Sequence, residues 1–427
     1  MKARALFAFV FVAAIAPSFA LNGTILGDFI PASALTAVAG PGSSQIQAEA
    51  TRTTTQAVMT QSSTLPDGWT LSGTLWLLLD SLPTNDPTQV PPDRLDLSSR
   101  LLQLEAQWQI LPGALILDIG KQIIHPSSGF FKTPLNLFSR GPAGNVPQQI
   151  PAAAPQWEEG WWGVKMVGIL GDWTLEDFLS PPLMWSDSAD RALRYLSLRQ
   201  DDLEDQVRID GHLGAVDVQF LGLVSASDPG NSDSTVQFRG GAGVDSNLGD
   251  HLTLRAEATL SDSLDRLDVV DASSLAVADR TVAWVPQALA GFTWSIDADL
   301  SFMAEYYYDG LALFGDDYAT ALQYAQNRLS SASAAPDVAG QFGFFSLARN
   351  YVFFRLADDF TDRITGQGWT EINLQDLSGM FGVGIGAKYD RWGLSGSLTQ
   401  TWGGAGTEAQ LLPYLWQLDI ELSFYFS

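Results

Sequence analysis

In residues 102–110 the apolar and polar side chains change places at every step. Leu102, Leu104, Ala106, Trp108 and Ile110 alternate with Gln103, Glu105, Gln107 and Gln109. A helix would scatter both sets around its circumference, whereas a strand sends them to opposite faces. The pattern returns in 251–261, where Leu252, Leu254, Ala256, Ala258 and Leu260 alternate with His251, Thr253, Arg255, Glu257, Thr259 and Ser261. It returns again in 414–426, where Trp416, Leu418, Ile420 and Leu422 alternate with Gln417, Asp419, Glu421 and Ser423. Weaker copies occupy 69–80, 206–213, 216–225, 300–309, 381–390 and 392–402. Most approach the roughly 9–11 residues that a tilted strand needs to cross a bilayer, where many soluble strands stop near about 5–6. A chain of such strands has one apolar face and one wet face to satisfy. A closed cylinder in lipid does both and leaves no backbone group unbonded in hydrocarbon.

The N-terminus agrees with export. Lys2 and Arg4 precede the unbroken apolar run 5–16, and Ser18-Phe19-Ala20 places small residues where a signal peptidase cuts. Residues 1–20 are therefore expected to be a signal peptide and 21–427 a single domain. No later apolar run nears the roughly 20 residues of a membrane helix. The chain has no Cys, which excludes a Cys-linked lipid anchor, disulfides and thiolate metal sites. Only 17% of residues are charged and 46% are hydrophobic, against roughly a quarter charged in ordinary soluble domains. The formal charge of −25 becomes −27 when Lys2 and Arg4 leave with the signal. That excess of acid argues against a nucleic-acid partner and hints at a preference for cations. Solvated acid kept for solubility explains it equally well.

Connections alternate in length. Turn residues stand at 111–113, 171–172, 248–250 and 297, and between them lie long stretches at 81–93, 124–156, 181–202, 262–280 and 310–340. The expected architecture is all-β: a transmembrane antiparallel β-barrel with short periplasmic turns and long extracellular loops. About 18 strands are expected, given a first strand within 24–39 and a late one within 366–374; 16 is the alternative. Aromatic residues gather at strand ends (Trp69, Trp161, Trp162, Tyr306, Tyr307, Tyr308, Tyr389, Trp392, Trp402, Tyr414 and Trp416), where a membrane interface favours them.

Three segments carry a resemblance. They are Asp118-Ile119-Gly120-Lys121-Gln122 with the following 129–136, Ala304-Glu305-Tyr306-Tyr307-Tyr308-Asp309-Gly310, and Asn373-Leu374-Gln375-Asp376-Leu377-Ser378-Gly379. They resemble a loosely defined family of porin-like outer-membrane barrels, the group around alginate-export and related uncharacterised proteins. The resemblance implies a barrel, an outer-membrane lipid surround and contact with the barrel-insertion machinery. The chain departs from the family pattern at His125-Pro126, where a Trp-Gly is usual. It departs again at Ser427, where the insertion signal usually ends in an aromatic residue and here Phe426 is penultimate.

Catalytic and metal chemistry find little footing. Gly382, Gly384 and Gly386 before Lys388 lack the spacing of a phosphate loop and share one face of a strand. His125, His212 and His251 have no ligand-spaced partners. The acidic clusters at 201–205, 316–317 and 358–359 match no calcium-loop spacing. No enzyme activity, cofactor or metal is expected. Alternation instead supplies a candidate pore lining: Glu105, Asp118, Lys165, Arg208, Asp210, Asp217, Arg255, Glu257, Glu305, Lys388, Asp419 and Glu421. Rings of acid favour cations, although the same side chains can merely pair across the lumen and stiffen it. The long segment 124–156 is the candidate constriction loop, with Lys121, Lys132 and Arg140 near its course. The expected partners are small hydrophilic solutes or ions, passing by diffusion; the alternative is a plugged barrel acting as adhesin or scaffold. The sequence leaves the oligomeric state open.

Overall fold

A computed structural model describes residues 26–39, 50–64, 69–83, 93–122, 124, 134–135, 161–181, 202–227, 236–271, 276–329, 347–390, 392–404, 406–411 and 416–424. The expected signal peptide, most of 124–156 and residues 425–427 lie outside them.

Eighteen strands follow one another in chain order. They are β1 (Leu26–Ala39), β2 (Ala50–Thr64), β3 (Trp69–Pro83), β4 (Asp93–Leu111), β5 (Leu115–Gln122), β6 (Trp161–Leu170), β7 (Trp173–Ser180), β8 (Asp202–Leu213) and β9 (Val216–Ser227). The second half comprises β10 (Val236–Leu248), β11 (Leu252–Asp271), β12 (Ala276–Ser295), β13 (Leu300–Asp309), β14 (Asn350–Thr361), β15 (Ile364–Asn373), β16 (Gly379–Lys388), β17 (Trp392–Trp402) and β18 (Trp416–Phe424). Each strand pairs antiparallel with the next, and β1 also pairs with β18 from Ala32↔Ser423 to Ala39↔Trp416. The ladder thus returns to its first strand, which removes the open edges that would otherwise expose unbonded backbone. Strands placed by alternation at 300–309 and 392–402 coincide with β13 and β17, and the inferred first and late strands appear as β1 and β15.

The connections sort by parity. One rim carries 65–68, 112–114, 171–172, 214–215, 249–251, 296–299, 362–363 and 389–391; the other carries 40–49, 84–92, 123–160, 181–201, 228–235, 272–275, 310–349, 374–378 and 403–415. Gly113, Gly171, Gly214 and Gly249 hold positive φ on the short rim with open space around them, so backbone conformation alone requires glycine there. At 296–299 a carboxylate does the work: Asp297 accepts the amides of Leu300 at 2.8 Å and Asp299 at 3.0 Å. Those bonds hold its carboxyl below the usual carboxylate range. The turn should keep this support above the ordinary aspartate range and lose it as pH falls through the lowered value. Hydrogen exchange at the Leu300 amide is expected to accelerate in Asp297→Ala at neutral pH and to converge with wild type in acid.

One expectation fails on this rim-to-rim plan. Residues 262–280 form no open loop. β11 and β12 run on as a paired hairpin, from Ser263↔Ala283 to Asp271↔Ala276, with only 272–275 between them. Asp268 and Arg280 pair across it at 3.1 Å. Its apolar residues Leu264, Leu267, Val269 and Val270 do not fall at every second position, so no apolar stripe marked it as strand.

The two faces of the ring differ in kind. One exposes Phe220, Phe238, Leu254, Leu260, Val383 and Ile385, the last 56% exposed. The alternating positions bury Asp118, Gln206, Glu257, Glu305 and Glu371. Exposed apolar area costs roughly 25 cal/mol per Å² in water, a cost that acyl tails remove. The first face is therefore the outside and the second the lumen. Tyr307, grouped above with the interface aromatics, belongs to the lumen, with Met303 and Glu305 on its side of β13. Trp161 likewise packs inward. Tyr389 and Trp392 stack at 4.3 Å on the short-turn rim, as an interface anchor should.

Candidate permeation path

The lumen wall carries a charged belt whose height the strands set. Asp118, Glu176, Asp210, Gln219, Asp245 and Arg255 each occupy the fourth position from the short-turn end of their strand. Lys165, Arg208, Glu257 and Glu305 occupy the sixth. Because inward positions recur every second residue, side chains from different strands meet at these two levels. Lys165 Nζ lies 3.1 Å from Asp118 Oδ2 on the adjacent strand. Arg208 reaches Asp210 at 2.8 Å and Glu176 at 3.8 Å. Gln219 Nε2 donates to Asp210 at 3.0 Å.

Arg255 and Glu305 meet across an intervening strand. The register runs Arg255↔Gly291↔Glu305, and Arg255 Nη1 stands 3.3 Å from Glu305 Oε1. A Cβ on Gly291 would lie 2.7 Å from Glu305 Cγ, so the glycine leaves the gap through which the pair closes. Glu305 is completely buried at its side chain, and Arg255 also donates to Thr293 Oγ1 at 3.2 Å.

Other residues expected to line the pore take varied places. Glu105 accepts a hydrogen bond from Ser72 at 3.0 Å. Asp217 pairs with His212 near the short-turn rim. Lys388 is exposed at the end of β16, on the face of Gly382, Gly384 and Gly386. Over Gly382 lies the Trp369 ring, within 2.4 Å of where a Cβ would stand. Asp419 and Glu421 are described as backbone only, opposite Thr36 and Ala34 and alternating with the exposed Leu418 and Ile420. Alternation had not singled out Glu176, Asp245, Arg239, Arg355 or Glu371, which also stand at inward positions. On β14 and β15 the inward face also carries Tyr351, Phe353 and Trp369, which blurs the alternation there.

Of the segment expected to form a constriction, the structure describes Ile124, Pro134 and Leu135. Leu135, fully buried, packs with Ile124, Phe178, Leu221 and Leu223. Its amide lies 3.5 Å from Glu257 Oε2. Its methyls occupy the space that Cβ atoms on Gly241 and Gly243 would need, at 2.6 and 2.8 Å. This point of the β5–β6 connection therefore sits inside the ring, above the charged belt. Lys121 does not travel with it. That residue belongs to β5, wholly buried in the wall opposite Leu104 and Trp162. Lys132 and Arg140 lie outside the described residues. Among the described residues no group of three or more His, Asp or Glu side chains is placed to hold a metal ion.

Comparison with solved structures returns barrels over nearly the whole chain. A mutant of the Rhodobacter blastica porin aligns with 94% of this chain and 100% of its own, at 11% identity and a TM-score of 0.45. OccK5 of Pseudomonas aeruginosa covers 94% and 97%, at 10% identity and 0.48. A loop-deletion mutant of OmpT, an outer membrane protein of Vibrio cholerae, covers 95% and 99%, at 9% identity and 0.41. No family model and no curated protein matches the chain, so the resemblance to the alginate-export group gains nothing from either comparison.

Proposed function

We propose that this chain is an outer-membrane channel that passes small hydrophilic solutes by diffusion, with a preference for cations and without covalent catalysis. The observation that carries the reading is the division of one strand ring into an exposed face of Leu, Val, Ile and Phe and a lumen face bearing a belt of ionised side chains. A ring of 16–18 strands encloses a lumen wide enough for water. Acid outnumbers base along it: Glu105, Asp118, Glu176, Asp210, Asp245, Glu257, Glu305 and Glu371 face inward, against Lys165, Arg208, Arg239, Arg255 and Arg355 on the same belt and above it. Such a lining attracts cations.

Purified protein in a planar bilayer under a KCl gradient should give stepwise conductance with a reversal potential displaced toward potassium. Charge reversal by Glu105→Lys together with Glu257→Lys should move that potential toward chloride. An unmoved potential would show that neither side chain faces the ion path. A plugged structural barrel is the second reading, favoured by the inward placement of Leu135; absence of conductance from folded protein selects it.

A further inference from the structure

The connection between β13 and β14 is far longer than joining them requires. Tyr308 and Asn350 are register partners, so two or three residues could close that hairpin, yet the chain inserts 310–349. Part of this insert is α1 (Asp316–Leu329), which opens after Gly315 at φ 62° with Asp316 and Asp317 in its first turn, the favourable end of the helix dipole for acid. Tyr318, Ala321 and Leu322 form its buried stripe. They pack on inward side chains of the wall: Leu289, Met303, Tyr307, Tyr351, Phe353 and Met380. The helix thus lies within the ring, while no ladder pairing of β13 or β14 depends on it.

A buried polar knot fastens it. Glu408, in a 3₁₀ turn at Glu408–Leu411, accepts from Leu347 N at 2.8 Å, Tyr351 OH at 2.9 Å and Asn373 Nδ2 at 2.7 Å. Asn373 also donates to Tyr318 OH at 2.7 Å, and Tyr318 donates to Asp376 Oδ2 at 2.7 Å. Asp376 in turn accepts the Glu408 amide at 2.7 Å. Asp376 and Glu408 therefore tie together three connections of the long-loop rim, 310–349, 374–378 and 403–415, and the helix joins them through Tyr318.

We propose that α1 is a latched plug: it occupies one side of the lumen, and its release from the Tyr318–Glu408 knot widens the water path. This inference rests on the channel reading and adds a second, separate obstruction to the one at Leu135. The test is single-channel recording of three proteins whose folding is checked by β-sheet circular dichroism: wild type, the latch variant Tyr318→Phe with Glu408→Gln, and a chain in which 316–329 is replaced by a Gly/Ser linker. The linker chain should hold a conductance above that of wild type, and the latch variant should flicker between the two levels. Equal, steady conductance from all three overturns the plug and leaves the channel reading intact. A silent wild type beside a conducting linker chain supports the plug and overturns the open-channel reading. Silence from all three folded proteins overturns both.

Discussion

Removal of residues 127–155 is expected to raise single-channel conductance by roughly twofold or more, because the unobstructed lumen of a 16–18-strand ring is itself a wide aqueous channel. The cut spares every strand. β5 ends at Gln122 and β6 begins at Trp161, and their pairing from Leu115↔Gly168 to Gln122↔Trp161 involves nothing between. What disappears is Leu135 from its seat against Phe178, Leu221 and Leu223. Losing a buried leucine commonly costs about 2–5 kcal/mol, but much of that cost is a cavity term, and a lumen open to water fills it. Glu257 loses the Leu135 amide and becomes more hydrated, so cation preference should strengthen as conductance rises. Unchanged conductance from folded protein would mean that the segment does not narrow the path.

Arg255→Ala is expected to destabilise the barrel by about 3–5 kcal/mol, the usual cost of stranding one member of a buried ion pair. Glu305, whose side chain has no exposure, would lose the guanidinium 3.3 Å away. The double variant Arg255→Met with Glu305→Leu should recover most of the loss, since apolar replacement of both members is often neutral. Urea-induced unfolding from lipid vesicles measures all three. A single variant as stable as wild type would mean that water already solvates Glu305 in the native lumen. The neighbouring Gly291 predicts a related asymmetry: a side chain there forces Glu305 aside and should resemble the single variant rather than the double.

The legible and illegible parts of this molecule divide on physical grounds. Alternation located β4, β11, β13, β17 and β18 because lipid on one side and water on the other impose a strict period of two. The parity of loop lengths then required strands within 24–39 and 366–374, where alternation is faint. The same logic went silent on the outer half of the β11–β12 hairpin, since Leu264, Leu267, Val269 and Val270 do not alternate with polar residues. Tyr306, Tyr307 and Tyr308 read alike as interface aromatics, yet alternation sends the middle one into the lumen to support α1. The helix did leave a trace: Tyr318, Ala321 and Leu322 stand at i, i+3 and i+4 behind an acidic first turn. Lumen candidates such as Asp118, Lys165, Arg255 and Glu305 could be named from the sequence, but their pairing could not, because register fixes partners and only the folded ring fixes register. Lys121 shows the same limit. Its nearness to the segment 124–156 suggested a part in the constriction, whereas it is buried in β5.

Because the chain contains no cysteine, single introduced cysteines can carry nitroxide labels without background. Electron paramagnetic resonance of labels at Leu254, Arg255, Ala256, Val383, Gly384 and Ile385 in lipid vesicles gives the most direct test. Collisions with oxygen should dominate at 254, 256, 383 and 385, and collisions with a water-soluble nickel chelate at 255 and 384. Chelate access at all six positions would place both faces in water and contradict the membrane barrel.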